Sequence, residues 1–156
     1  MIKTAILTVS TSRNKKDDES GKEIAKLLDK KIFKVASYLL VKDDSGKIRE
    51  ALIYFSDTLE CDLVLTNGGT GLSPADVTPE ATLAASERIV PGIPEIMRSE
   101  GMKKNHRAAL SRGVSVIRGK TLIVNLPGSP AGARESLSAV LDVLPHAIDM
   151  LRGKSH

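Results

Sequence analysis

Two rhythms of apolar and polar residues alternate along the first half of this chain. Residues 2–9, IKTAILTV, form a nearly continuous β-branched and apolar run, the pattern of a strand covered on both faces. A polar loop follows. SGKEIAKLLDKK (20–31) then places Ile24, Leu27 and Leu28 at helical spacing, with Ser20 as N-cap and Glu23 completing a capping box. IFKVASYLLV (32–41) reads as a second strand and KDDSG as its loop, after which Ile48, Leu52, Ile53 and Phe55 mark a helix. CDLVLT (61–66) supplies a third strand, which runs straight into a cluster of glycines.

The second half is more broken. Thr78-Pro79-Glu80 has the form of a helix start: Thr as N-cap, Pro at the first helical position, an acid in the first turn. The helix is expected to run on through EATLAASERI. Pro91, Gly92 and Pro94 interrupt the pattern ahead of EIMRSEGMKK and HRAALSR, two short helical segments. GVSVIRG and KTLIVNL read as a strand pair turning at Gly119. After PGSPAG, a long helix from about Ala133 carries Leu137, Val140, Leu141 and Leu144, with a kink expected at Pro145. No repeat or linker divides residues 1–156, which read as one α/β domain with helices on a mostly parallel sheet.

Composition narrows the classes of function. With 156 residues, 41% hydrophobic and 27% charged, the chain can bury one sizeable core. No apolar segment nears the roughly 18 residues of a membrane span, and the N-terminal run lacks a signal-peptide cleavage site, so a cytoplasmic protein is expected. The single cysteine, Cys61, excludes an internal disulfide and reads as a half-buried structural thiol. His106, His146 and His156 are too scattered for a zinc motif. The net charge of +4 gathers its basic residues at Arg98, Lys103, Lys104, Arg107, Arg112, Arg118 and Lys120. None of the four aromatics (Phe33, Tyr38, Tyr54, Phe55) lies among them to stack bases. That stretch reads as a solvated face or a seat for a small anion, not as a nucleic-acid surface.

In open parallel sheets, ligands bind beyond the carboxyl ends of the strands, where strand order reverses. Four loops leave the expected strands in that direction: STSRNKKDDESG, KDDSG, NGGTGLSPADVT and NLPGSPAG. Polar residues and glycines collect in all four, which points to one composite site. NGGTG has neither the GK[ST] ending of a P-loop nor G-x-G-x-x-G spacing. What it offers is bare backbone N–H groups at a strand end, a good anion seat. LPGSPAG offers a second cradle ahead of a helix N-terminus. Two cradles on one edge suit one ligand with separated anionic groups, or two ligands that react together. Asp17, Asp18, Asp43, Asp44, Asp76 and Glu80 lie on the same loops. Acids beside a phosphate seat are reconciled by Mg²⁺, held by one or two carboxylates plus phosphate oxygens. Asp17 and Asp44 read as caps; Asp43 and Asp76 each follow a strand on this edge and are the functional candidates.

TNGGTGLSPADVTPEAT resembles the T-x-G-G-T-G-x-x-x-R-D-x-T-P-E signature of the molybdenum-cofactor biosynthesis proteins MoaB and MogA. VSTSRNKKDDESG, VKDDSGKIREAL and NLPGSPAGARESL resemble the other blocks of that family, in the same order, from about Ile2 to Leu151. The resemblance implies the family's fold, a doubly wound α/β domain with helices on both faces of a mostly parallel sheet, assembled as a homotrimer or homohexamer. It implies Mg²⁺-dependent adenylation of molybdopterin with ATP, giving adenylyl-molybdopterin and pyrophosphate, and a possible molybdate-insertion enzyme as partner. Carried over by motif, Asp43 and Asp76 would serve catalysis and Mg²⁺ binding. Gly68, Gly69, Thr70 and Gly71 would line the phosphates, helped by Ser20 and Gly21, and Asn125, Gly128 and Ser129 would hold the other ligand. Ser10, Thr78 and Glu80 complete the expected substrate- and nucleotide-binding set.

Three positions depart from the family pattern. Ala75 stands where the signature has Arg, Asn67 where Thr is common, and Lys42 where Pro is common. Alanine can neither fork onto phosphate nor pin a carboxylate; Arg13, Lys15 and Lys16 are the nearby candidates to replace that charge. The resemblance therefore leaves two readings open, an active adenylyltransferase and a non-catalytic molybdopterin-binding or carrier homologue. A third, another use of the fold, is attached in related proteins to longer chains. The segment from Pro91 to Leu110 and the end of the last helix carry more apolar residues than short helices need, and are expected to make subunit contacts. Sedimentation should give a mass three or six times 16.7 kDa; a 16.7 kDa monomer alone would refute the assembly.

Overall fold

Strands and helices alternate as β1 (Ile2–Val9), α1 (Glu19–Leu27), β2 (Phe33–Val41), α2 (Ser45–Ile53), β3 (Leu63–Asn67), α3 (Thr78–Ala85), β4 (Arg88–Ile89), α4 (Gly92–Met102), β5 (Ser115–Arg118), β6 (Thr121–Leu126), α5 (Pro130–Val140) and α6 (Leu144–Leu151). This computed structural model describes residues 1–154; His156, weighed above as a zinc ligand, lies outside them. The strands form one sheet in the order β2-β1-β3-β6-β5-β4. β2, β1, β3 and β6 run parallel, while β5 is antiparallel to both β6 and β4. The carboxyl ends of the four parallel strands therefore share one edge.

Both faces of the sheet are covered, which explains the unbroken apolar runs. On one face Ile6, Leu65, Val124 and Leu126 pack against Ile24 of α1, Met97 of α4, Leu137 of α5 and Ile148 of α6. On the other, Leu7, Val64 and Ile123 pack against Leu52 and Phe55 and against Ala81 and Ala85 of α3. Cys61 belongs to this second layer, buried where half-burial was expected, and that burial pushes its thiol pKa up.

Several ends differ from the sequence expectations, each for a physical reason. Asp18, not Ser20, caps α1: its carboxylate accepts from the Gly21 N–H at 3.1 Å, while the Ser20 hydroxyl is drawn to the Gly128 carbonyl at 2.6 Å. Glu23 closes no capping box and pairs instead with Lys26 and Arg134. Thr78 is the first helical residue of α3 rather than its cap, because its hydroxyl donates to the Gly68 carbonyl. That helix stops at Ala85; Glu87 and Val90 donate to Ile117 and Ser115, pulling Arg88–Ile89 into the sheet as β4. Pro91 and Pro94 break no helix. Pro94 lies in the first turn of α4, where no N–H is required of it. The expected long C-terminal helix starts earlier, at Pro130 with Ser129 as cap, and divides into α5 and α6, with Pro145 in the first turn of the second.

α2 runs on into a π-helical turn, Tyr54–Thr58, and His106–Leu110 is a 3₁₀ turn. Around the segments expected to make subunit contacts, Ile96, Met102, Leu110 and Met150 are exposed. No helix of the described residues is long and apolar enough to cross a membrane.

Candidate functional site

The chain passes from β1 to β2 on one side and reaches β3 on the other, so strand order reverses between β1 and β3. Gly68 and Gly69 lie just past β3 at that point. Gly68 has φ +95°, and a Cβ on it would fall 2.3 Å from the Val9 carbonyl oxygen at the end of β1. Gly69 has φ +69°, with its Cβ position 2.2 Å from Thr78 Oγ1. Both the conformation and the space demand glycine. Gly128, after β6, is equally bare toward its neighbour: its Cβ position lies 3.2 Å from the Gly68 Cα. The Gly68 N–H donates to the Leu126 carbonyl at 3.2 Å, and Thr78 N–H to the Gly69 carbonyl at 3.1 Å.

Beneath these glycines lies a buried polar seam. Asn67 Nδ2 donates to Thr8 Oγ1 at 2.9 Å, and the Thr8 hydroxyl donates to the fully buried Asp18 carboxylate. The Tyr38 hydroxyl also donates to Asp18. Burial first, and the Asp18 carboxylate second, push the Tyr38 pKa up to about 12. One strand over, Asn125 Nδ2 donates to Thr66 and Thr82 hydroxyls at 3.0 Å each, and its Oδ1 accepts from the Val114 N–H at 3.1 Å. Asn125 is thus held on three sides, while Asn67 Oδ1 is buried without a partner among the described residues.

Arginines fix the loops above the seam. Arg13 Nη1 donates to the Gly128 carbonyl at 3.0 Å and to Ser20 Oγ at 3.1 Å, tying the loop after β1 to the cradle after β6. Lys15 lies over the Tyr38 ring, 5.6 Å from its centroid. Neither is bonded to the Gly68–Gly71 loop. The guanidinium that reaches that loop is Arg112, which donates to the Gly71 and Asp76 carbonyls at 2.7 Å each and to the Glu80 carboxylate. That bond holds the Glu80 carboxyl below the usual carboxylate range. Arg98 donates to the Ser111 and Gly113 carbonyls, and Arg118 grips Asp57 through two nitrogens. Three members of the basic stretch expected to form a solvated or anion-binding face are thus internal staples. Their acceptors are mostly backbone carbonyls, which leave no mark in the sequence.

A cavity of about 630 Å³ opens over this edge. Among the residues singled out from sequence, it brings together Gly69, Thr70, Gly71, Asp76, Asn125, Gly128 and Ser129. Its far wall comes from α4, the 3₁₀ turn and the link between them, including Met97, Arg98, Lys104 and Arg107. Gly68 and Thr78 lie behind the wall as packing and hydrogen-bonding supports. Ser20 and Gly21 are buried in α1, and Ser10 Oγ accepts from the Arg13 N–H. Glu80 faces Arg112 rather than the cavity lining. Asp43, after β2, also stands outside that lining; one carboxylate oxygen accepts both the N–H and the hydroxyl of Thr11, at 3.0 and 2.8 Å. Asp17 and Asp44 bond locally, Asp44 as cap of α2.

No cluster of three or more His, Cys, Asp or Glu able to hold a metal exists among the described residues. Asp76 engages only Oδ2, with the Ser73 N–H at 3.0 Å, so Oδ1 has no protein donor among the described residues. One open carboxylate oxygen beside a glycine cradle fits a hard cation that arrives with phosphates and retains much of its water. It does not fit an all-protein metal cage.

A doubly wound sheet with glycines crowded at its reversal point defines the class: an open α/β domain, a fold in which ligands generally bind beyond the strand ends. Comparison with known proteins then shows the family. Residues 5–146 match the model of the family described as "Probable molybdopterin binding domain", and the chain belongs to it. It is 40% identical over 139 residues to a molybdopterin adenylyltransferase of Helicobacter pylori J99, spanning 88% of this chain and 79% of that protein. It is also 40% identical over 126 residues to the molybdopterin adenylyltransferase of Escherichia coli K12, spanning 73% and 65% respectively. The crystal structure of the molybdopterin biosynthesis enzyme MoaB from Thermus thermophilus superposes with a TM-score of 0.91 at 50% identity, covering 99% of this chain and 98% of that one.

Two predictions follow from the seam and the glycines. Gly68→Ala should lower stability to chemical denaturant by at least ~2 kcal/mol, since it combines a disfavoured φ with a backbone clash. Gly92→Ala, whose Cβ meets nothing within 4 Å, should stay within about 0.5 kcal/mol of native. Equal effects would show that the close approach does not matter. The raised Tyr38 pKa means the folded state keeps its proton longer than the unfolded chain does. Its stabilising contribution is intact below the ordinary tyrosine value of about 10 and is lost as pH rises toward about 12. Tyrosinate absorbance in Tyr54→Phe, where Tyr38 alone titrates, should reach its midpoint near the upper value.

Proposed function

We propose that this chain transfers an adenylyl group from ATP to the terminal phosphate of molybdopterin, in biosynthesis of the molybdenum cofactor. The observation that carries the reading is the contact between the two cradles. Gly68 and Gly128 touch through bare backbone, and the loops they belong to open on one cavity beside Asp76. That is an arrangement for two phosphorylated ligands held side by side. The family and the names of the relatives point the same way.

In the reaction, a phosphate oxygen of the pterin forms a bond to the α-phosphorus of ATP. The bond from that phosphorus to the bridging oxygen breaks, and pyrophosphate leaves with the electron pair. A phosphate is already a competent nucleophile, so the protein has little proton transfer to perform. Its task is to hold two anions within bonding distance and in line. Gly69, Thr70 and Gly71 offer one phosphate seat, and Gly128 and Ser129 at the start of α5 offer the other. Asn125, locked by its three bonds, keeps the wall between them rigid. Bound Mg²⁺ would supply charge neutralisation on the phosphate oxygens, with Asp76 as its protein ligand. Asp43 acts in this reading at the neighbouring loop, where it already organises Thr11.

A second reading, a molybdopterin-binding protein without turnover, rests on Ala75, which is exposed in the glycine loop and carries no charge. An adenylation assay with purified molybdopterin, ATP and Mg²⁺ separates the two. We expect adenylyl-molybdopterin from the native chain, and a loss of roughly 100-fold or more in Asp76→Asn. Product from Ala75→Arg but none from the native chain would establish the carrier instead. Unchanged turnover in Asp76→Asn would remove that carboxylate from the mechanism.

A further inference from the structure

Arg112 has no part in the motifs that point to the site, and it does not line the cavity. Its contacts are nonetheless all with the glycine loop and the helix that follows. Its backbone N–H donates to the Thr70 carbonyl at 2.9 Å. Nε and Nη2, the two nitrogens on one edge of the guanidinium, donate at 2.7 Å to the carbonyls of Gly71 and Asp76. Nη1 takes the Glu80 carboxylate in the first turn of α3. One planar fork therefore bridges the two ends of the segment from Gly71 to Asp76 and anchors the result to a helix.

The consequence for Asp76 is geometric. Its carbonyl is fixed by Arg112 and its Oδ2 by the Ser73 N–H, so backbone and side chain are held at once. Every peptide here is trans, so turning the Gly71 and Asp76 carbonyls toward Arg112 turns the N–H groups of Leu72 and Val77 the opposite way. Arg112 is itself braced: Arg98, from α4, donates to the carbonyls of Ser111 and Gly113 on either side of it. Ala75 lies within the segment that this fork closes, exposed and uncharged. The guanidinium at this loop is delivered from the approach to β5, not by the loop's own sequence.

We infer that Arg112 is a positioning residue, closing the Gly71–Asp76 loop so that Asp76 stands ready for the cation and phosphates of the nucleotide. This rests on the adenylyl-transfer reading for its chemistry, but not for its geometry. Lysine keeps the charge but has no planar edge to span the Gly71 and Asp76 carbonyls, so Arg112→Lys isolates the fork from the charge. Arg112→Gln removes both.

The test is amide hydrogen exchange across residues 71–77 in the native protein and both variants, beside Mg²⁺-dependent adenylation by the same samples. Exchange of the loop should speed by roughly tenfold in both variants, with the β-strand amides unchanged. Turnover should fall about 10- to 100-fold, with a higher Mg²⁺ concentration at half-activity, as for other groups that orient a metal ligand. Native exchange rates in both variants would overturn the clamp, and native behaviour in Arg112→Lys alone would show that charge, not the fork, is what counts. A loosened loop with unaltered turnover and Mg²⁺ dependence would reduce Arg112 to a structural staple. If the native chain makes no adenylyl-pterin while the variants still loosen the loop, the functional reading falls and the clamp stands.

Discussion

Everything at the candidate site depends on backbone meeting backbone where β1 and β3 part company. The carbonyl of Val9 leaves no room for a side chain at position 68, and the Gly68 Cα leaves little at position 128. Three strand ends can thus close together without intervening side chains. A methyl group at Gly68 would have to push β1 and β3 apart or force the chain out of its left-handed path. The glycines Gly69, Gly71 and Gly128 that border the cavity are thereby held where the sheet puts them.

Closing strand ends this tightly creates a second requirement. At or one residue before the ends of β1, β3 and β6 stand polar residues: Thr8, Thr66, Asn67 and Asn125 are all buried, whereas their neighbours toward the strand starts are mostly apolar. Buried polar groups cost stability unless paired, and a fully paired network is stiff because every member is held by another. Asn125 meets that condition with three bonds, and Thr8 links Asn67 to Asp18. The polar residues are concentrated on the one edge where the proposed site lies. Among the described residues, the buried polar side chains toward the opposite edge are few: Thr4, Thr121 and Ser56 of the π-helical turn before β3.

Much of this was legible in the chain because the relevant physics is local. Strands covered on both faces read as continuous apolar runs, so β1, β3 and β6 stood out, and glycines forced by close approach appear as glycines. What was not legible is whatever depends on partners distant in sequence. Ser20 and Asp18 are both good caps two residues apart, and only the Gly128 carbonyl, far along the chain, decides between them. β4 is two residues long and exists because β5 lies beside it, so helical spacing through Arg88 and Ile89 carried no warning. Arg112, Arg98 and Arg118 look like surface charge in sequence. Carbonyl acceptors belong to every residue alike, so no pattern marks the positions those arginines serve.

The arginines also bear on why a loop carrying Asp76 and Glu80 can suit an anion. A peptide group is a dipole, and a carbonyl aimed at a phosphate repels it as surely as an N–H attracts it. Here the carbonyls of Gly68, Gly71, Asp76 and Gly128 are each taken by a donor: the Thr78 hydroxyl, Arg112, Arg112 again, and Arg13 with Ser20. Each bond turns the negative end of a peptide aside, and two guanidinium charges remain close enough to offset the carboxylates. An anion seat of the kind proposed would be made in this way by withdrawing carbonyls as much as by presenting N–H groups. In the proposed reading, that requirement explains why Arg13 and Arg112 point at the protein's own backbone and do not line the cavity.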